Sequence, residues 1–376
     1  MFKHGRFFAR AAGVVLAASI LLSLSACLLP TTATSSSTAY QNDLYMVDSA
    51  NGKIYTYDPS THTASSTSLA STKQNASGTI SFHNGIGYVG VAPLSGGNPG
   101  VYWFDPSAAS PSFTELSSTS GAIKAEYFAF ASATTAYVSV VGTYDSTGAA
   151  DTGGIYTFDP TQFHTAAISA PIAGINNYLQ DIKAGADGRI YTSALLHQKV
   201  FIVDPSNNNA ITFVRTNAPG PTGLCAGSYK GIAGMFVAST GNGAAGAIDF
   251  IPSSGTTASP VVAASAGIFP TRVIQLSNDN LVATGWDTSF ASHTWLITLG
   301  STVTVTELKD GAASFGGGDL AESNGLVYVP MSTTTDYVHY TNQLYIFDES
   351  GTEQSYSPVS VMTSADNFTN LAFFSD

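Results

Sequence analysis

Alternating apolar and aromatic positions recur seven times along the chain, and most copies end in Asp-Pro or a related polar turn. The clearest copies are residues 54–59, 101–106, 155–160 and 200–205. Weaker copies begin at residues 247, 295 and 344, and successive copies start 45 to 54 residues apart. Alternation with a period of two indicates β-strands that present one set of side chains to each face. The pattern therefore predicts seven equivalent strands.

Each copy is flanked by further strand-like segments. A second alternating run, such as 189–193 or 326–329, precedes the copy, and a short Val/Ile/Thr run, such as 210–214 or 303–306, follows it. The preceding run is itself introduced by a tight turn of residues that accept positive φ, for example Asn84-Gly85. The repeating unit is thus a four-stranded antiparallel meander. Seven such units predict an all-β, seven-bladed β-propeller with few helices.

The repeat resembles that of the YVTN and NHL-like propellers, in which a Tyr-Val strand precedes a strand that ends in Asp and a turn. The corresponding strands here are 87–90, 136–139 and 327–330, which read Gly-Tyr-Val-Gly, Ala-Tyr-Val-Ser and Val-Tyr-Val-Pro. The resemblance covers residues 43–376, the predicted propeller domain. Those families include enzymes, scaffolds and receptors, so the resemblance implies a fold and not one function.

The two ends of the propeller segment are complementary. The first repeat begins at residues 43–47 with no inner strand before it, whereas residues 368–374 form an additional strand after the last repeat. We expect this last strand to be the inner strand of the first blade, which closes the ring and removes an open sheet edge. The Asp that ends each copy is expected to bind backbone N–H groups of its own turn, a structural role.

The N-terminal segment has the three parts of an export signal. Three basic residues, Lys3, Arg6 and Arg10, precede an uncharged apolar run over residues 11–24. That run is short for a membrane-spanning helix, which needs about 20 apolar residues.

Residues 24–27, Leu-Ser-Ala-Cys, resemble the lipobox of bacterial lipoproteins. The resemblance implies a signal peptide over residues 1–26 and acylation of Cys27 by palmitate-like chains, which anchor the protein to a membrane. Residues 27–42 then form the lipidated Cys and a flexible Ser/Thr/Ala tether. We expect a place in the cell envelope. Leu28 is not the Asp that retains many such proteins at the inner membrane, so the outer membrane is favoured where the organism has two.

The charge of the chain excludes some partners. The formal net charge is −12, and removal of residues 1–26, which contain three basic residues and no acidic one, makes it −15. Such an acidic domain is a poor ligand for nucleic acid, which needs a basic surface. We expect a monomer whose only membrane contact is the lipid anchor.

Loop length differs between the two faces of the predicted propeller. The connections between second and third strands and between blades share one face, and they are long at 92–99, 142–153, 171–177, 309–318 and 331–342. We call this the long-loop face. Because binding residues concentrate on loops held by a rigid scaffold, we expect it to bind the partner. The candidate residues are Tyr178, Trp286, Asp287, Tyr337, His339 and Tyr340.

A second candidate site is the central channel. The innermost strands are expected to present Glu126, Asp181, Arg272, Asp319 and Asn370 to it. Propeller lactonases hold a divalent metal there with carboxylates and amides, and this likeness suggests a possible metal. The alternative is that these side chains line the channel and hold ordered water. The seven histidines have no zinc-ligand spacing, so the sequence by itself predicts no cofactor.

Two motifs typical of α/β enzymes occur in an unsuitable context. Residues 241–246 match the dinucleotide fingerprint but are followed by a strand, whereas the motif requires a helix. Residues 223–227 resemble a nucleophile elbow with Cys225 in place of Ser, but Cys225 falls on a predicted inner strand. The chain has only two cysteines, and assigning Cys27 to the lipid predicts that the mature protein has no internal disulfide.

Two functions are compatible with these features. The first is a membrane-anchored extracytoplasmic module that binds an envelope protein or a glycan through the long-loop face, without catalysis. The second is a metal-dependent lactonase or related hydrolase with its site at the central channel. A structural role in outer-membrane assembly, by analogy with other lipoprotein propellers, is a third interpretation.

Overall fold

The computed structural model describes the propeller domain with several gaps. The described residues are 43–48, 51–66, 68–71, 78–92, 99–108, 110–118, 123–141, 153–165, 167–172, 175, 178–242, 244–287, 291–311, 314–315, 318–334, 339–363 and 368–373. Cys27, the signal segment and the tether lie outside these residues, as does Tyr337. In the described part of the chain, no helix is long and apolar enough to cross a membrane.

Seven small, mainly antiparallel sheets form the blades of a β-propeller, as predicted. Blade 1 contains β1 (Leu44–Asp48), β2 (Lys53–Asp58), β3 (Thr63–Ala64), β4 (Ala70–Ser71) and β30 (Phe368–Phe373). Blade 2 contains β5 (Gly78–His83), β6 (Ile86–Val91), β7 (Gly100–Phe104) and β8 (Thr114–Ser118). Blade 3 contains β9 (Ala125–Ser132), β10 (Thr135–Val140), β11 (Gly154–Phe158) and β12 (Ala167–Ile168).

The remaining blades follow the same order from the channel outwards. Blade 4 contains β13 (Leu179–Ala184), β14 (Ile190–Ala194), β15 (Lys199–Asp204) and β16 (Ala210–Arg215). Blade 5 contains β17 (Pro221–Tyr229), β18 (Ile232–Ser239), β19 (Ala247–Pro252) and β20 (Ser259–Val262). Blade 6 contains β21 (Phe269–Gln275), β22 (Leu281–Trp286), β23 (Ser292–Leu299) and β24 (Val303–Gly311). Blade 7 contains β25 (Ser314–Phe315), β26 (Ala321–Ser323), β27 (Leu326–Thr333), β28 (Thr341–Asp348) and β29 (Val359–Ser360).

Helical structure in the described residues is limited to three-residue 3₁₀ helices. They are Pro160–Gln162, Leu195–His197, Pro205–Asn207 and Ala264–Ala266. All seven copies of the sequence repeat lie on the third strand of their blade. Blade 3 departs from the simple meander, because the ladder partner of β12 is β8 of blade 2, in parallel orientation.

The ring is closed by the two ends of the domain, as predicted. β30 pairs antiparallel with β1, with Leu44 opposite Phe373 and Val47 opposite Asn370. It also contacts β5 of blade 2 and β26 of blade 7. The inner edge of the first blade is therefore covered by a strand from the other end of the chain.

The short turns have the backbone conformation that the sequence predicts. Asn84 and Gly85 have φ values of 49° and 77°, and Asn324 and Gly325 have φ values of 54° and 75°. These are the left-handed values that a type I′ hairpin turn requires.

The Asp that ends a repeat copy has the predicted structural role. The Asp58 carboxylate accepts the N–H of Ser60 at 2.7 Å, two residues further on. Asp105, Asp159, Asp204 and Asp348 each make the same i to i+2 bond. These hydrogen bonds to Ser60 and Thr61 hold the pKa of Asp58 below its ordinary value.

Candidate functional site at the long-loop end of the channel

Five of the seven innermost strands, those of blades 1, 3, 4, 5 and 6, have a β-bulge close to their N-terminal ends. In blade 3, Tyr127 pairs with Ser139 and Ala125 with Val140, so that Glu126 is the extra residue. Equivalent bulges insert one extra residue at Thr369, at Gln180–Asp181, at Thr222 and at Thr271. A bulge changes the direction of a side chain and is over-represented beside functional sites.

Blade 7 has a larger irregularity at the same level. Phe315 is opposite Ser332 and Ala321 is opposite Tyr328, so five residues of the inner segment span three residues of β27. Asp319 lies in this segment. The bulges thus place Glu126, Asp181 and Asp319, and Arg272 just after its bulge, in one layer around the channel.

This layer lies at the long-loop end of the channel. In an antiparallel meander the N-terminal end of the first strand shares its face with the connections between strands two and three and between blades. The bulges occur within the first few residues of the inner strands. The two predicted sites, the long-loop face and the channel, are therefore neighbours.

Hydroxyl groups link the bulges of successive blades. Ser193 of blade 4 donates to the carbonyl of Thr222 in blade 5 at 3.0 Å. Thr222 donates in turn to the carbonyl of Thr271 in blade 6 at 2.9 Å. Thr284 of blade 6 donates to the carbonyl of Gly318 in blade 7 at 2.9 Å. These bonds satisfy carbonyls that the bulges remove from the strand ladders.

Arg272 is the cation of the layer. Its Nε lies 3.2 Å from Oδ1 of Asp319, and its terminal nitrogens donate to the Thr271 carbonyl at 2.9 Å and to the Tyr127 hydroxyl at 3.2 Å. The guanidinium carbon also lies 5.7 Å from the centroid of the Tyr127 ring. Arg272 is 2% exposed and Asp319 is fully buried. The pair therefore connects blade 6 with blade 7 in a water-excluded environment.

Asp181 and Lys183 form a second charged pair on β13. Asp181 accepts the N–H of Leu224 in blade 5 at 2.9 Å and its own neighbouring N–H at 2.8 Å. The Nζ of Lys183 lies 4.0 Å from Oδ1 of Asp181. Burial lowers the pKa of the Lys183 ammonium, while the charges of Asp181 and Asp319 oppose this change.

Glu126 lacks comparable partners. Its side chain is fully buried, and among the described residues neither carboxylate oxygen makes a hydrogen bond. Burial raises the pKa of Glu126 well above its ordinary value. The nearby Tyr127 hydroxyl, which does not reach hydrogen-bond geometry with either oxygen, and the charges of Arg272 and Lys124 offset only part of this rise. Within the same described ranges, Oδ2 of Asp319 and both amide atoms of Gln180 are also buried without a hydrogen bond. Such atoms are costly, at roughly 1–3 kcal/mol each.

The channel residues named from the sequence lie on the innermost strands or in the segment before β26. The structure brings Glu126, Asp181, Arg272 and Asp319 into one layer. It places Asn370 opposite Val47 on β30. Sequence reasoning missed Lys183, Tyr127 and Gln180. Lys183 could have been found from strand periodicity, because it lies two residues after Asp181 and so points to the same side.

The charged layer is a poor site for a divalent metal. Two of its three carboxylates already have a cation at 4.0 Å or less, Lys183 for Asp181 and Arg272 for Asp319. A metal would have to bind beside both positive charges, which repel it. In the part of the chain that the structure describes, no group of three or more His, Cys, Asp or Glu side chains has the arrangement of a metal site.

The loop-face candidates have mixed surroundings. Tyr178 is 1% exposed and packs with Val141 and Leu195, so the prediction that it stacks on a ligand at the surface is wrong. Its ring completes an apolar cluster instead. Trp286 and Tyr340 are half-buried and His339 is exposed, so these three remain candidates.

Asp287 has a structural task in its loop. Its carboxylate accepts the N–H of Ala291 at 2.9 Å and lies 3.5 Å from Nε2 of His293. The other ring nitrogen of His293 contacts Glu307. Asp287 therefore fixes the connection between β22 and β23.

Two of the predicted long loops are shorter than expected. β24 continues to Gly311, and β27 and β28 take up the ends of the segment 331–342, since they end at Thr333 and begin at Thr341. Strand pairing at both places extends the ladders beyond the predicted boundaries.

The rejected motifs lie where the sequence indicated. A strand and not a helix follows residues 241–246. Cys225 is fully buried on the inner strand β17. It is disulfide-bonded in the full, unprocessed chain, and the absence of an internal disulfide from the lipidated mature protein stays a prediction.

Comparison with solved structures defines the class of protein as a seven-bladed β-propeller. A periplasmic gluconolactonase of Pseudomonas aeruginosa aligns over 89% of this chain and 99% of its own, with a TM-score of 0.64 and 12% identity. A putative 6-phosphogluconolactonase of Bacteroides fragilis aligns over 89% and 100%, with a TM-score of 0.59 and 15% identity. A streptogramin B lyase aligns over 78% and 88%, with a TM-score of 0.57 and 13% identity.

At these identities the likeness extends to the fold alone. No protein-family model matches the chain, and no curated protein sequence matches it.

Proposed function

We propose that this protein is a binding module that takes a polar, glycan-like ligand at the long-loop end of its channel. One observation carries the proposal. The buried carboxylates of Glu126 and Asp319 keep three oxygen atoms without a hydrogen bond in the described structure. A fold seldom leaves such atoms unsatisfied without a reason, and a ligand that donates hydrogen bonds is one such reason.

A glycan suits these surroundings better than a protein surface does. Sugar hydroxyls donate to carboxylates, and the apolar faces of sugar rings pack on aromatic side chains. The half-buried ring of Trp286 ends β22 of blade 6, and the half-buried Tyr340 and the exposed His339 lie in the connection between β27 and β28 of blade 7, on the same face as the charged layer. A protein partner on the long-loop face is the other outcome of the test below.

The proposal includes the address that the N-terminal sequence implies. Acylation at Cys27 would tether the propeller to a membrane of the cell envelope, where glycans are abundant. The net charge of −12 argues against nucleic acid as a ligand.

A glycan array probed with the full chain tests the proposal. We expect binding to a restricted set of glycans, and we expect Glu126→Gln to weaken it at least ten-fold. Glu115→Gln is the matched control, because Glu115 is exposed on β8, an outer strand of blade 2. Absence of binding to all glycans, together with cross-linking to an envelope protein through the long-loop face, would overturn the glycan proposal in favour of a protein partner.

Hydrolysis of a lactone is a second candidate function, and Glu126 favours it. A carboxyl group whose pKa is raised by burial can stay protonated near neutral pH and act as a proton donor. Arg272, in the same layer, could stabilise a developing negative charge.

The assay for this candidate is hydrolysis of glucono-1,5-lactone with and without chelator. A rate above background that Glu126→Gln abolishes would support the hydrolase. We expect chelator to have no effect, because Arg272 and Lys183 already neutralise two of the carboxylates. If the full chain hydrolyses the lactone no faster than the uncatalysed background, the hydrolase is excluded and the binding module is the proposal that remains.

A further inference from the structure

The charged layer around the channel has unequal numbers of hydrogen-bond donors and acceptors. Its charged members are the carboxylates Glu126, Asp181 and Asp319 and the cations Lys183 and Arg272, so the formal charge is −1. The oxygen atoms that make no hydrogen bond in the described structure are Oε1 and Oε2 of Glu126 and Oδ2 of Asp319. The layer therefore offers more acceptors than donors.

The two cations of the layer are already committed. Arg272 donates to Asp319, to the Thr271 carbonyl and to the Tyr127 hydroxyl. Lys183 lies beside Asp181, whose oxygens also accept two backbone N–H groups. Glu126 is thus the carboxylate whose charge has no close counter-ion among the described side chains, although Arg272 and Lys124 attract it from a longer distance.

We propose that the buried part of the ligand is a primary ammonium group, so that the glycan is one that carries a free amine. An ammonium has three N–H donors and no acceptor, so it suits a layer whose unsatisfied charged side chains, Glu126 and Asp319, offer only acceptor oxygens. Its positive charge also favours the ionised form of Glu126 over the protonated form that burial favours in the absence of a ligand, and it neutralises the layer when Glu126 is ionised. This inference rests on the proposed glycan-binding function and names the class of ligand.

The burial of the layer supports a small terminal group. Glu126 and Asp319 are both 0% exposed. Gly90 packs against the Glu126 backbone so closely that an added Cβ would lie 2.6 Å from the Glu126 carbonyl oxygen. An ammonium has a single heavy atom, so it is among the smallest charged groups that so closely packed a layer would have to accept.

A second observation supports a ligand at this level. Gln180, in the bulge beside Asp181, is 1% exposed, and within the described part of the chain neither its amide nitrogen nor its amide oxygen makes a hydrogen bond. An amide can donate to a sugar hydroxyl and accept from one. It therefore offers both a donor and an acceptor to a hydroxyl of the same sugar.

Calorimetric titration of the full chain with three related sugars tests the inference. D-glucosamine carries the ammonium, N-acetyl-D-glucosamine replaces it with a neutral amide, and D-glucose replaces it with a hydroxyl. We expect D-glucosamine to bind at least ten-fold more tightly than the other two, which corresponds to about 1.4 kcal/mol. Ionic strength is held constant, because an acidic protein attracts any cation weakly.

Variants distinguish the specific contact from general attraction. We expect Glu126→Gln to reduce the affinity for D-glucosamine to that for D-glucose, whereas Glu115→Gln keeps the preference. A thermal melt of each variant shows that it is folded. Equal binding of the three sugars would overturn the inference and leave the glycan proposal standing.

A non-sugar amine separates the two proposals. Ethanolamine that binds the native chain and not Glu126→Gln, in the absence of binding by any sugar, would support the ammonium site and overturn the glycan proposal. Failure of ethanolamine and of all three sugars to bind would overturn both.

Discussion

The Nε of Arg272 in blade 6 lies 3.2 Å from Oδ1 of Asp319 in blade 7, and both side chains are buried. Arg272 lies on the sheet of blade 6 and Asp319 in the segment before β26 of blade 7, and no ladder hydrogen bond joins the two sheets. The pair therefore joins the two blades, together with the hydrogen bond from the Thr284 hydroxyl to the Gly318 carbonyl. Its removal should affect stability and the geometry of the whole channel layer.

Substitution Arg272→Met should lower the free energy of unfolding by about 3–5 kcal/mol, because it leaves a buried carboxylate without its counter-ion. The double variant Arg272→Met/Asp319→Leu should recover part of the loss, since both charges are then absent. Urea denaturation measures the effect. Arg215→Met, on the exposed end of β16, is the control. A double variant no more stable than Arg272→Met would argue against the pair.

Glu126→Gln should stabilise the protein near neutral pH in the absence of ligand. Burial raises the pKa of Glu126 in the folded state, so the unfolded state binds fewer protons and stability falls as the pH rises from the ordinary Glu pKa towards the raised value. Glutamine has no such penalty. The difference in melting temperature should therefore be positive at pH 7 and disappear below pH about 4, where both states are protonated. A difference independent of pH, or equal to that of Glu115→Gln, would contradict this origin.

Deletion of residues 367–376 should destabilise the whole propeller. The deletion removes β30 and exposes the edge of β1 and the apolar residues packed beneath it. We expect loss of a cooperative thermal transition, or a fall of more than about 10 °C in its midpoint. Deletion of residues 374–376 leaves β30 intact and serves as the control. A shortened chain that melts like the full one would disprove the closure.

The chemical state of the two cysteines shows whether Cys27 is acylated or forms a disulfide. Cys225 is disulfide-bonded in the structure, and Cys27 is the only other cysteine of the chain. Acylation of Cys27 and an intramolecular disulfide therefore exclude each other. If Cys27 is acylated, Cys27→Ser should move the protein from the membrane fraction to the soluble fraction, whereas Cys225→Ser should not. Intact mass under non-reducing conditions shows the acyl chains directly; a mass without them would overturn the lipoprotein proposal.

The fold could be predicted from the sequence because its cause is local and repeated. The alternation in copies such as 54–59, together with turns such as Asn84-Gly85, determines each hairpin without reference to distant residues. The closure of the propeller was also predictable, because the first repeat lacks an inner strand and the sequence has one extra strand after the last repeat.

The candidate site was only partly predictable because it depends on irregularities. The acidic residues and Arg272 could be assigned to inner strands by counting. The bulges that change the direction of these side chains leave no clear pattern in a single sequence. Thr222 and Thr271, for example, look like ordinary strand residues. Tyr178 was misassigned for a related reason. An aromatic residue beside two Asn resembles a surface loop, whereas Tyr178 packs on Val141, which follows β10 of blade 3, and on Leu195, which follows β14 of its own blade.

The pairing of β1 with β30 has a consequence for how the protein is made. The ribosome makes Leu44 long before its ladder partner Phe373. The inner edge of β1 therefore stays unpaired while the other blades are synthesised. Contacts of such large sequence separation are slow to form. The ring can therefore close only after the entire domain has emerged. This delay would suit a chain that is exported unfolded. The pairing of β30 with β1, which completes the fold, could not form before the whole domain had crossed the membrane.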